Sequence, residues 1–158
     1  MCKWRYCSSY YKNGLKVKGL QEIDGKTYYF DEKGYLQTGW VELDGSWYYF
    51  DSDLQTGWVK VDGCWYFFDP DTGVMAENSW VLSKGVWYYL GGSGAMLENQ
   101  WVQWNGVWYY LGEGGAMLQS RWLLWNDAWY YLGTDGIMLT NAVTPDGYKV
   151  DASGVWVK

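Results

Sequence analysis

The sequence predicts an all-β fold, a β-solenoid of stacked β-hairpins, and two observations lead to this prediction. The phrase WVELDGSWYYFD begins at Trp40, and related phrases begin at Trp58, Trp80, Trp101 and Trp122. Most copies carry an Asp-Gly or Asn-Gly pair between their two Trp residues, and such pairs readily adopt the positive φ angles of tight hairpin turns. Because a single hairpin cannot bury its apolar face, successive hairpins are expected to stack.

The repeat length divides the chain into six hairpin units between two capping segments. Residues 1–18 are expected to form an N-terminal cap or linker, and 142–158 a C-terminal capping segment, because terminal units of an array usually differ from the rest. The first repeat is degenerate, with Leu20 and Thr27 where later copies have Trp. The hairpin repeats together span 19–141, with boundaries at 19–38, 39–56, 57–78, 79–99, 100–120 and 121–141.

Strand alternation predicts which side chains share a face within each hairpin. In the copy that begins at Trp80, the second strand should point Trp87 and Tyr89 one way and Tyr88 and Leu90 the other. We expect Tyr88 and Leu90 to be core residues. The opposite face would then carry Trp87 and Tyr89, and Trp80 completes that wall if it faces the same way.

Trp and Tyr dominate the aromatic content of this chain of 158 residues, with 14 Trp and 16 Tyr against four Phe. Such a surplus favours half-buried, amphipathic surfaces, although the same rings could simply fill the interior of a thin solenoid. The ring faces suit a quaternary ammonium group, which no hydrogen bond can hold. A net charge of −6 argues against nucleic acid as a partner, because stacking on single strands also requires a basic groove.

The amino-acid composition excludes the most common types of catalytic site. The chain has no His, so neither a Ser-His-Asp triad nor a Cys-His pair can form, and we expect no enzyme, cofactor or metal site. Asp24, Asp44 and Asp62 occupy turn positions, which explains them without a catalytic role. Cys2 and Cys7 could pair in an exported protein, although the start of the chain lacks the apolar run of a signal peptide. No stretch is long enough for membrane insertion.

The pattern GW-x4-G-x-WYY-L-x3-G-x-M recurs across about 39–141. It resembles the choline-binding repeats, also called cell-wall-binding repeats, of pneumococcal surface proteins, autolysins and phage lysins. The resemblance implies a left-handed solenoid whose pockets hold the choline of teichoic acids. In that family two Trp of one hairpin and a Tyr of the next form an aromatic cage, often with a Met nearby. Autolysins and lysins join such arrays to a catalytic domain, which no part of this sequence resembles.

When the cage positions of that family are mapped onto this sequence, the resemblance implies a series of candidate pockets. Two follow the full motif, formed by Trp80 and Trp87 with Tyr110 and Met96, and by Trp101 and Trp108 with Tyr131 and Met117. Two lie upstream, formed by Trp58 and Trp65 with Tyr89 and Met75, and by Trp40 and Trp47 with Phe67. A last pair, Trp122 and Trp129, would need a ring from the tail, for which Tyr148 is the candidate. Trp104 and Trp125 are extra rings that either extend a binding surface or are exposed packing.

The resemblance therefore implies a non-catalytic module that anchors to choline or phosphocholine on teichoic acids, at the bacterial cell surface or in a secreted protein. It could also be the targeting module of a cell-wall hydrolase. The alternative is a carbohydrate-binding module, because the first repeat, GLQEIDGKTYYFDEKGYLQT, resembles repeats of clostridial toxins and streptococcal glucan-binding proteins. A homodimer is left open.

Overall fold

The computed structural model describes residues 9–157, and within that range the chain is all-β. The only helical segment in this range is a single 3₁₀ turn, η1 (Glu113–Gly115). The pairing of Cys2 with Cys7, which the sequence leaves open, lies outside the described residues. No helix within 9–157 has the length and apolar character that crossing a membrane requires.

Six antiparallel hairpins repeat along the described chain, each made of two strands of five or six residues. In chain order, hairpins 1 to 3 are β3 (Gly19–Ile23) with β4 (Lys26–Phe30), β5 (Gly39–Leu43) with β6 (Ser46–Asp51), and β8 (Gly57–Val61) with β9 (Cys64–Phe68). Hairpins 4 to 6 are β10 (Ser79–Ser83) with β11 (Val86–Leu90), β12 (Gln100–Trp104) with β13 (Val107–Leu111), and β14 (Arg121–Trp125) with β15 (Ala128–Leu132).

Short strands complete the sheets at and between these hairpins. An additional small hairpin precedes them, one short strand adds to hairpin 2, and three short strands form the last sheet. These strands are β1 (Tyr11–Lys12), β2 (Leu15–Lys16), β7 (Asp53–Leu54), β16 (Ala142–Val143), β17 (Lys149–Val150) and β18 (Trp156–Val157).

The two-residue turns adopt the backbone conformation that the sequence predicts. Asp24 and Gly25 have φ angles of 52° and 76°, and Lys84 and Gly85 have 49° and 81°. The variant turn formed by Asn126 and Asp127 keeps φ angles of 48° and 61° without any glycine. Positive φ at both central positions matches the twist of the flanking strands, so each turn fixes the register of its hairpin.

The chain divides into two compact units between Glu77 and Asn78. Hairpins 1 to 3 lie in the first unit, and hairpins 4 to 6 lie in the second. Within the second unit, a cluster formed by Tyr89, Val102 and Leu111 joins hairpin 4 to hairpin 5, with Trp80 and Trp104 packed against it. The Trp-bearing face of one hairpin therefore packs on the opposite face of the next.

One side chain at the end of each hairpin is almost completely buried. It is the last apolar residue of the Trp-Tyr-Tyr strand, and its exposed fraction is 0–1% in all six hairpins, namely at Phe30, Phe50, Phe68, Leu90, Leu111 and Leu132. The prediction that Leu90 is a core residue is confirmed. The prediction that Tyr88 is a core residue is wrong, because Tyr88 is only half-buried, and Tyr89 on the opposite face is buried at 8% exposure.

A methionine in the linking turn ties hairpin 5 to hairpin 4. Met117 forms an antiparallel bridge with Leu111 of its own hairpin, and its backbone N–H donates to the Trp87 carbonyl of the preceding hairpin at 2.8 Å. Gly136, at φ +80°, allows this arrangement, since a Cβ there would lie 2.6 Å from the Met117 Cε. The linking turns thus set the spacing of the stack.

The first unit shows the same packing between hairpins 2 and 3. Phe68 of hairpin 3 lies against Trp40 and Tyr49 of hairpin 2, with ring centroids 5.7 Å and 6.3 Å apart. The Met75 backbone N–H donates to the Trp47 carbonyl at 2.8 Å. The repeat at 39–56 is shorter than the others, yet the Trp-bearing face of its hairpin is still covered.

Replacing Leu111 by Ala should test this packing. Leu111 is 0% exposed, and removing a fully buried Leu side chain costs about 2–5 kcal/mol. The matched change Leu124→Ala, at a side chain 52% exposed, should cost no more than about 0.5 kcal/mol. Urea unfolding followed by circular dichroism gives both values, and equal losses for the two variants would contradict the assigned core.

Candidate ligand-binding sites

Cross-strand pairing places two Trp residues on one face of hairpin 4. Trp80 lies opposite Tyr89, and Leu82 lies opposite Trp87. Side chains two positions apart on a strand share a face, so Trp80 and Trp87 point the same way. Trp80 makes edge-to-face contacts with Tyr89, at 5.0 Å, and with Tyr109 of hairpin 5, at 5.0 Å. Trp87 stays 37% exposed.

These rings form a concave site, here called the Trp80 site, with a cavity volume of about 360 Å³. Hairpin 4 contributes two Trp rings and hairpin 5 contributes Tyr109 and Trp104, while the following turns contribute the Met117 thioether. The lining residues are Trp80, Trp87, Trp104, Asn105, Tyr109, Met117 and Asp135. Most of this surface is aromatic or thioether, with two polar side chains at Asn105 and Asp135.

Hairpins 5 and 6 repeat the arrangement in the Trp101 site, whose volume is about 280 Å³. Trp101 makes edge-to-face contacts with Tyr110, at 5.2 Å, and with Tyr130 of hairpin 6, at 5.3 Å. The Met138 backbone N–H donates to the Trp108 carbonyl at 2.8 Å, which fixes the methionine beside the exposed ring. The lining residues are Trp101, Trp108, Trp125, Tyr130, Met138 and Ser153.

The last hairpin and the final sheet build a third cavity, the Trp122 site, of about 340 Å³. Its lining residues are all aromatic, namely Trp122, Trp129, Tyr148 and Trp156. Tyr148 lies edge-to-face with Trp122 at 6.0 Å and with Trp156 at 5.9 Å. Trp156 follows the turn at the position that Met138 holds in the preceding repeat, so an indole ring replaces the methionine.

A hydrogen-bonded carboxylate holds Trp122 in place. The Trp122 Nε1–H donates to Asp146 Oδ2 at 2.9 Å, and the Thr144 hydroxyl donates to Asp146 Oδ1 at 2.6 Å. These two hydrogen bonds, that from Thr144 first, hold the pKa of Asp146 below its ordinary value because they favour the ionised form. The Trp122 site therefore keeps a negative charge beside its rings over a wide pH range.

A similar ring cluster lies on hairpin 2 in the first unit. The Trp40 and Trp47 ring centroids are 6.3 Å apart at an interplanar angle of 81°. Tyr66 of hairpin 3 contacts Trp40 at 4.7 Å, and the Met75 backbone N–H donates to the Trp47 carbonyl. The set of two Trp, one Tyr and one Met is therefore present here as well.

The Tyr and the Met that line the Trp80 and Trp101 sites differ from those expected. The Trp80 site takes Tyr109 and Met117 in place of Tyr110 and Met96. The Trp101 site takes Tyr130 and Met138 in place of Tyr131 and Met117, and Trp40 meets Tyr66 rather than Phe67. Tyr110 is instead buried beneath Trp101 and Trp125, and this burial raises its pKa. The expected ring from the tail, Tyr148, does lie in the Trp122 site.

The Tyr that lines these cavities has a signal in the sequence that the alternation argument did not use. The residue after the second Trp position is Tyr in all six hairpins, whereas the next residue is Phe at Phe67. The ring centroids of Phe67 and Trp58 are 5.2 Å apart, so this position accepts an aromatic ring without a hydroxyl group. Because opposite faces of successive hairpins meet in a stack, the ring that faces a Trp must come from the opposite face of the next hairpin.

The expected pocket of Trp58, Trp65 and Tyr89 draws on residues of both units, and it stays a prediction. Within the first unit, Trp65 is 40% exposed. The Lys60 Nζ lies 5.7 Å from the Trp65 ring centroid, at the cross-strand position opposite that Trp.

The two extra Trp residues both pack and line cavities. Trp104 contacts the buried Tyr89 at 5.6 Å, and Trp125 contacts the buried Tyr110 at 5.4 Å. Trp104 also lines the Trp80 site, and Trp125 also lines the Trp101 site. Both rings therefore serve as packing, half-buried and not fully exposed, and their role in a binding surface stays a prediction.

The side chains that line these sites suit ligand groups that are apolar or cationic. No cluster of His, Cys, Asp or Glu able to hold a metal ion occurs in the part of the chain that the structure describes. Aromatic faces attract cations, most strongly at Trp, and a thioether contributes a polarisable, uncharged wall. The arrangement suits a group that is both positively charged and covered with methyl or methylene surface.

Models of known repeat families match nearly the whole array of hairpins. A model of the choline-binding repeat matches residues 17–53 and 55–101, more than half of the chain. A second model of the choline-binding repeat matches 124–156, and a model of the cell wall binding repeat matches 99–117. A search of curated proteins finds no match.

Solved structures with the same arrangement come from Streptococcus pneumoniae. Choline binding protein F is 37% identical with a TM-score of 0.77, over 92% of this chain and 49% of that protein. CbpJ is 38% identical with a TM-score of 0.78, over 91% of this chain and 49% of that protein. Choline binding protein F in the presence of a peptidoglycan analogue is 34% identical with a TM-score of 0.78, over 99% and 54%. The chain spans about half the length of these relatives.

Burial of Tyr110 predicts a loss of stability in alkali. Burial disfavours the phenolate and raises the pKa of Tyr110 in the folded state, so the unfolded chain loses this proton first. The contribution of the neutral Tyr110 side chain to the free energy of unfolding is fully present below about pH 10 and is lost as the pH rises further. Urea midpoints of the wild type should fall above that pH, and the fall should be smaller for Tyr110→Phe. Identical pH profiles for the two proteins would contradict the burial of Tyr110.

Proposed function

The chain belongs to the choline-binding repeat family, and on this premise we propose that it is a non-catalytic module that binds choline on the bacterial cell wall. The ligand would be choline or phosphocholine on teichoic acids, held in aromatic cages between successive repeats. The cages would be the Trp80, Trp101 and Trp122 sites and the ring cluster of Trp40, Trp47 and Tyr66. The pair formed by Trp58 and Trp65 would provide a further cage of this series.

One observation carries this proposal. The second Trp of each full repeat is markedly exposed, at 37% for Trp87, 40% for Trp108 and 41% for Trp129, beside rings that are well packed. An indole face left open at the mouth of a cavity costs solvation free energy that a packed core would recover. Its repetition favours a binding role over simple filling of the interior.

The geometry matches a trimethylammonium group in shape and charge. Such a group has no hydrogen for a donor bond, so the ring faces of Trp80, Trp87 and Tyr109 are its best partners. The Met117 thioether closes the cavity without adding a group that needs a hydrogen bond. The acidic balance of the chain, with 18 Asp and Glu against 12 Lys and Arg, favours cations at longer range.

Each single site should bind choline weakly, whereas the whole array should bind a choline-bearing polymer strongly. A cation over one ring contributes about 0.5–2 kcal/mol, so three rings give on the order of a few kcal/mol, which corresponds to about millimolar affinity. Several sites that meet a ligand repeated along one polymer gain avidity through their effective concentration. Anchoring to a choline-decorated wall uses this multivalency.

We also propose the organisation that this function implies. The six hairpin repeats of 19–141 would form a β-solenoid, with 1–18 and 142–158 as its capping segments. The C-terminal segment would both cap the array and complete the Trp122 site through Tyr148 and Trp156. Such an anchor would work at the bacterial cell surface and hold a fused or partner protein, including a cell-wall hydrolase, near its substrate.

A carbohydrate ligand is the second candidate. Asn105 and Asp135 place polar groups at the rim of the Trp80 site, where they could bind hydroxyl groups beside a stacked sugar ring. A relative at 34% identity was solved in the presence of a peptidoglycan analogue. Choline is favoured because the other lining residues of this site are aromatic or Met, and because polar side chains are sparse in all three cavities.

Binding to choline-substituted resin tests the proposed function directly. The chain should be retained and should elute with free choline, but not with the same concentration of glucose oligomers. Bacterial walls that carry choline should retain it, and walls in which ethanolamine replaces choline should not. Equal binding to both kinds of wall would overturn the proposal, and elution by glucan alone would favour the carbohydrate candidate.

A pair of variants tests the assignment of single sites. Trp87→Ala removes one wall of the Trp80 site and should cost about 1–2 kcal/mol, or about five- to thirty-fold in choline affinity at that site. The indole resonances of Trp80 and Trp101 would report the two sites separately in a choline titration by NMR. The reciprocal variant Trp108→Ala should weaken only the Trp101 site. A uniform loss at both sites in either variant would contradict the separation of the cages.

A further inference from the structure

Trp156 gives the Trp122 site a wall of a different kind from those of the two cavities that precede it. The Trp80 and Trp101 sites each include a thioether, from Met117 and Met138 respectively. In the Trp122 site, the indole ring of Trp156 lines the cavity together with three further aromatic rings. The site that the last sheet completes is therefore lined by four aromatic side chains.

The backbone places Trp156 where the preceding repeat has Met138. Met138 forms an antiparallel bridge with Leu132, and Trp156 pairs in the same way with Val150. The turns that precede these two residues are closed by equivalent backbone hydrogen bonds, each 3.0 Å long. The exchange of a thioether for an indole is therefore a change of side chain at one structural position, within an otherwise repeated backbone.

The additional ring does not fill the cavity. The volume of the Trp122 site is about 340 Å³ against about 280 Å³ for the Trp101 site, although an indole is larger than a thioether. The Tyr148 ring is inclined at 76° to Trp122 and at 88° to Trp156, so neighbouring walls meet at nearly right angles. Trp129, 41% exposed, lies at the open side. One small ligand group can therefore contact several rings at once.

We propose that Trp156 is a further ligand-binding residue, and that its ring makes the Trp122 site the strongest quaternary-ammonium site among the three cavities of the second unit. This inference rests on the proposed function, since it ranks sites that bind choline. A thioether supplies a polarisable contact, whereas an indole adds a further ring face with negative electrostatic potential. Trp is also the aromatic side chain that attracts cations most strongly.

The carboxylate of Asp146 also lies beside this site, and its effect on a cation has to be separated from that of the Trp156 ring. Asp146 accepts hydrogen bonds from the Trp122 Nε1–H at 2.9 Å and from the Thr144 hydroxyl at 2.6 Å. Neither hydrogen bond involves Trp156, so replacing Trp156 leaves both partners of this carboxylate in the chain. The Trp122 indole N–H resonance then reports whether the last sheet still packs on hairpin 6.

The test titrates the full chain with choline while the indole resonances of Trp87, Trp108 and Trp129 report the three sites by NMR. The affinity should be about two- to five-fold higher at Trp129 than at the other two rings. A second titration uses 3,3-dimethyl-1-butanol, an uncharged molecule of the same shape in which carbon replaces the quaternary nitrogen. The ratio of choline affinity to alcohol affinity should also be highest at Trp129, because the alcohol makes no cation–π contact.

Two replacements of Trp156 separate its aromatic face from the simple filling of space. Trp156→Met installs the side chain that the other two cavities use, so the ratio at Trp129 should fall to that at Trp108. Trp156→Phe keeps an aromatic face and should give an intermediate ratio. If a variant loosens the last sheet, the apparent affinities for both compounds fall by the same factor, and their ratio still reports the ring.

The outcomes separate this inference from the proposed function. A wild-type ratio at Trp129 no higher than that at Trp108, or a ratio unchanged by Trp156→Met, would overturn the role of Trp156 while leaving choline binding in place. Equal ratios for the Phe and Met variants would show that the aromatic face is not the cause, and would also overturn it. If no indole responds to choline, the proposed function fails, and this inference fails with it.

Discussion

The packing of one hairpin face against the opposite face of the next is the constraint on which the rest of this structure depends. A two-stranded hairpin is too small to bury its own apolar side chains, and it is stable only when a neighbour covers them. Here the cover comes from Tyr89, Val102 and Leu111 between hairpins 4 and 5. The edge-to-face contacts of Trp80 with Tyr89 and Tyr109 add about 0.5–1.5 kcal/mol each.

The same packing creates the sites. Within each unit, the next hairpin packs on the first Trp of a Trp-bearing face and leaves the second about 40% exposed, as at Trp47, Trp87 and Trp108. The linking turn then brings a methionine to the open edge, where its backbone N–H bonds to the carbonyl of that second Trp. Stability and binding are therefore properties of one interface, and a repeat that lost its stacking would also lose its cage.

The sequence predicts much of this fold because its signals are local and repeated. The positive φ angles at Asp24 and Gly25, the strand pairing and the burial of Leu90 all follow from turn chemistry and two-residue alternation. These rules act within one hairpin, and they need no knowledge of its neighbours. The relation between one hairpin and the next has no such local signal. Alternation correctly places Tyr109 and Tyr110 on opposite faces, but it does not say which face meets Trp80.

The structure brings Tyr109 to the cavity and buries Tyr110. The positions of Met117 and Asp135 depend on the path of turns that follow later hairpins, so no motif within one repeat encodes them.

A crystal structure of the chain grown with choline would test the central claim most directly. We predict a trimethylammonium group among the rings of Trp80, Trp87 and Tyr109, in contact with the Met117 thioether, and a second one in the Trp101 site. Choline bound against Tyr110 and Met96, or cavities that remain empty at saturating choline, would contradict this claim.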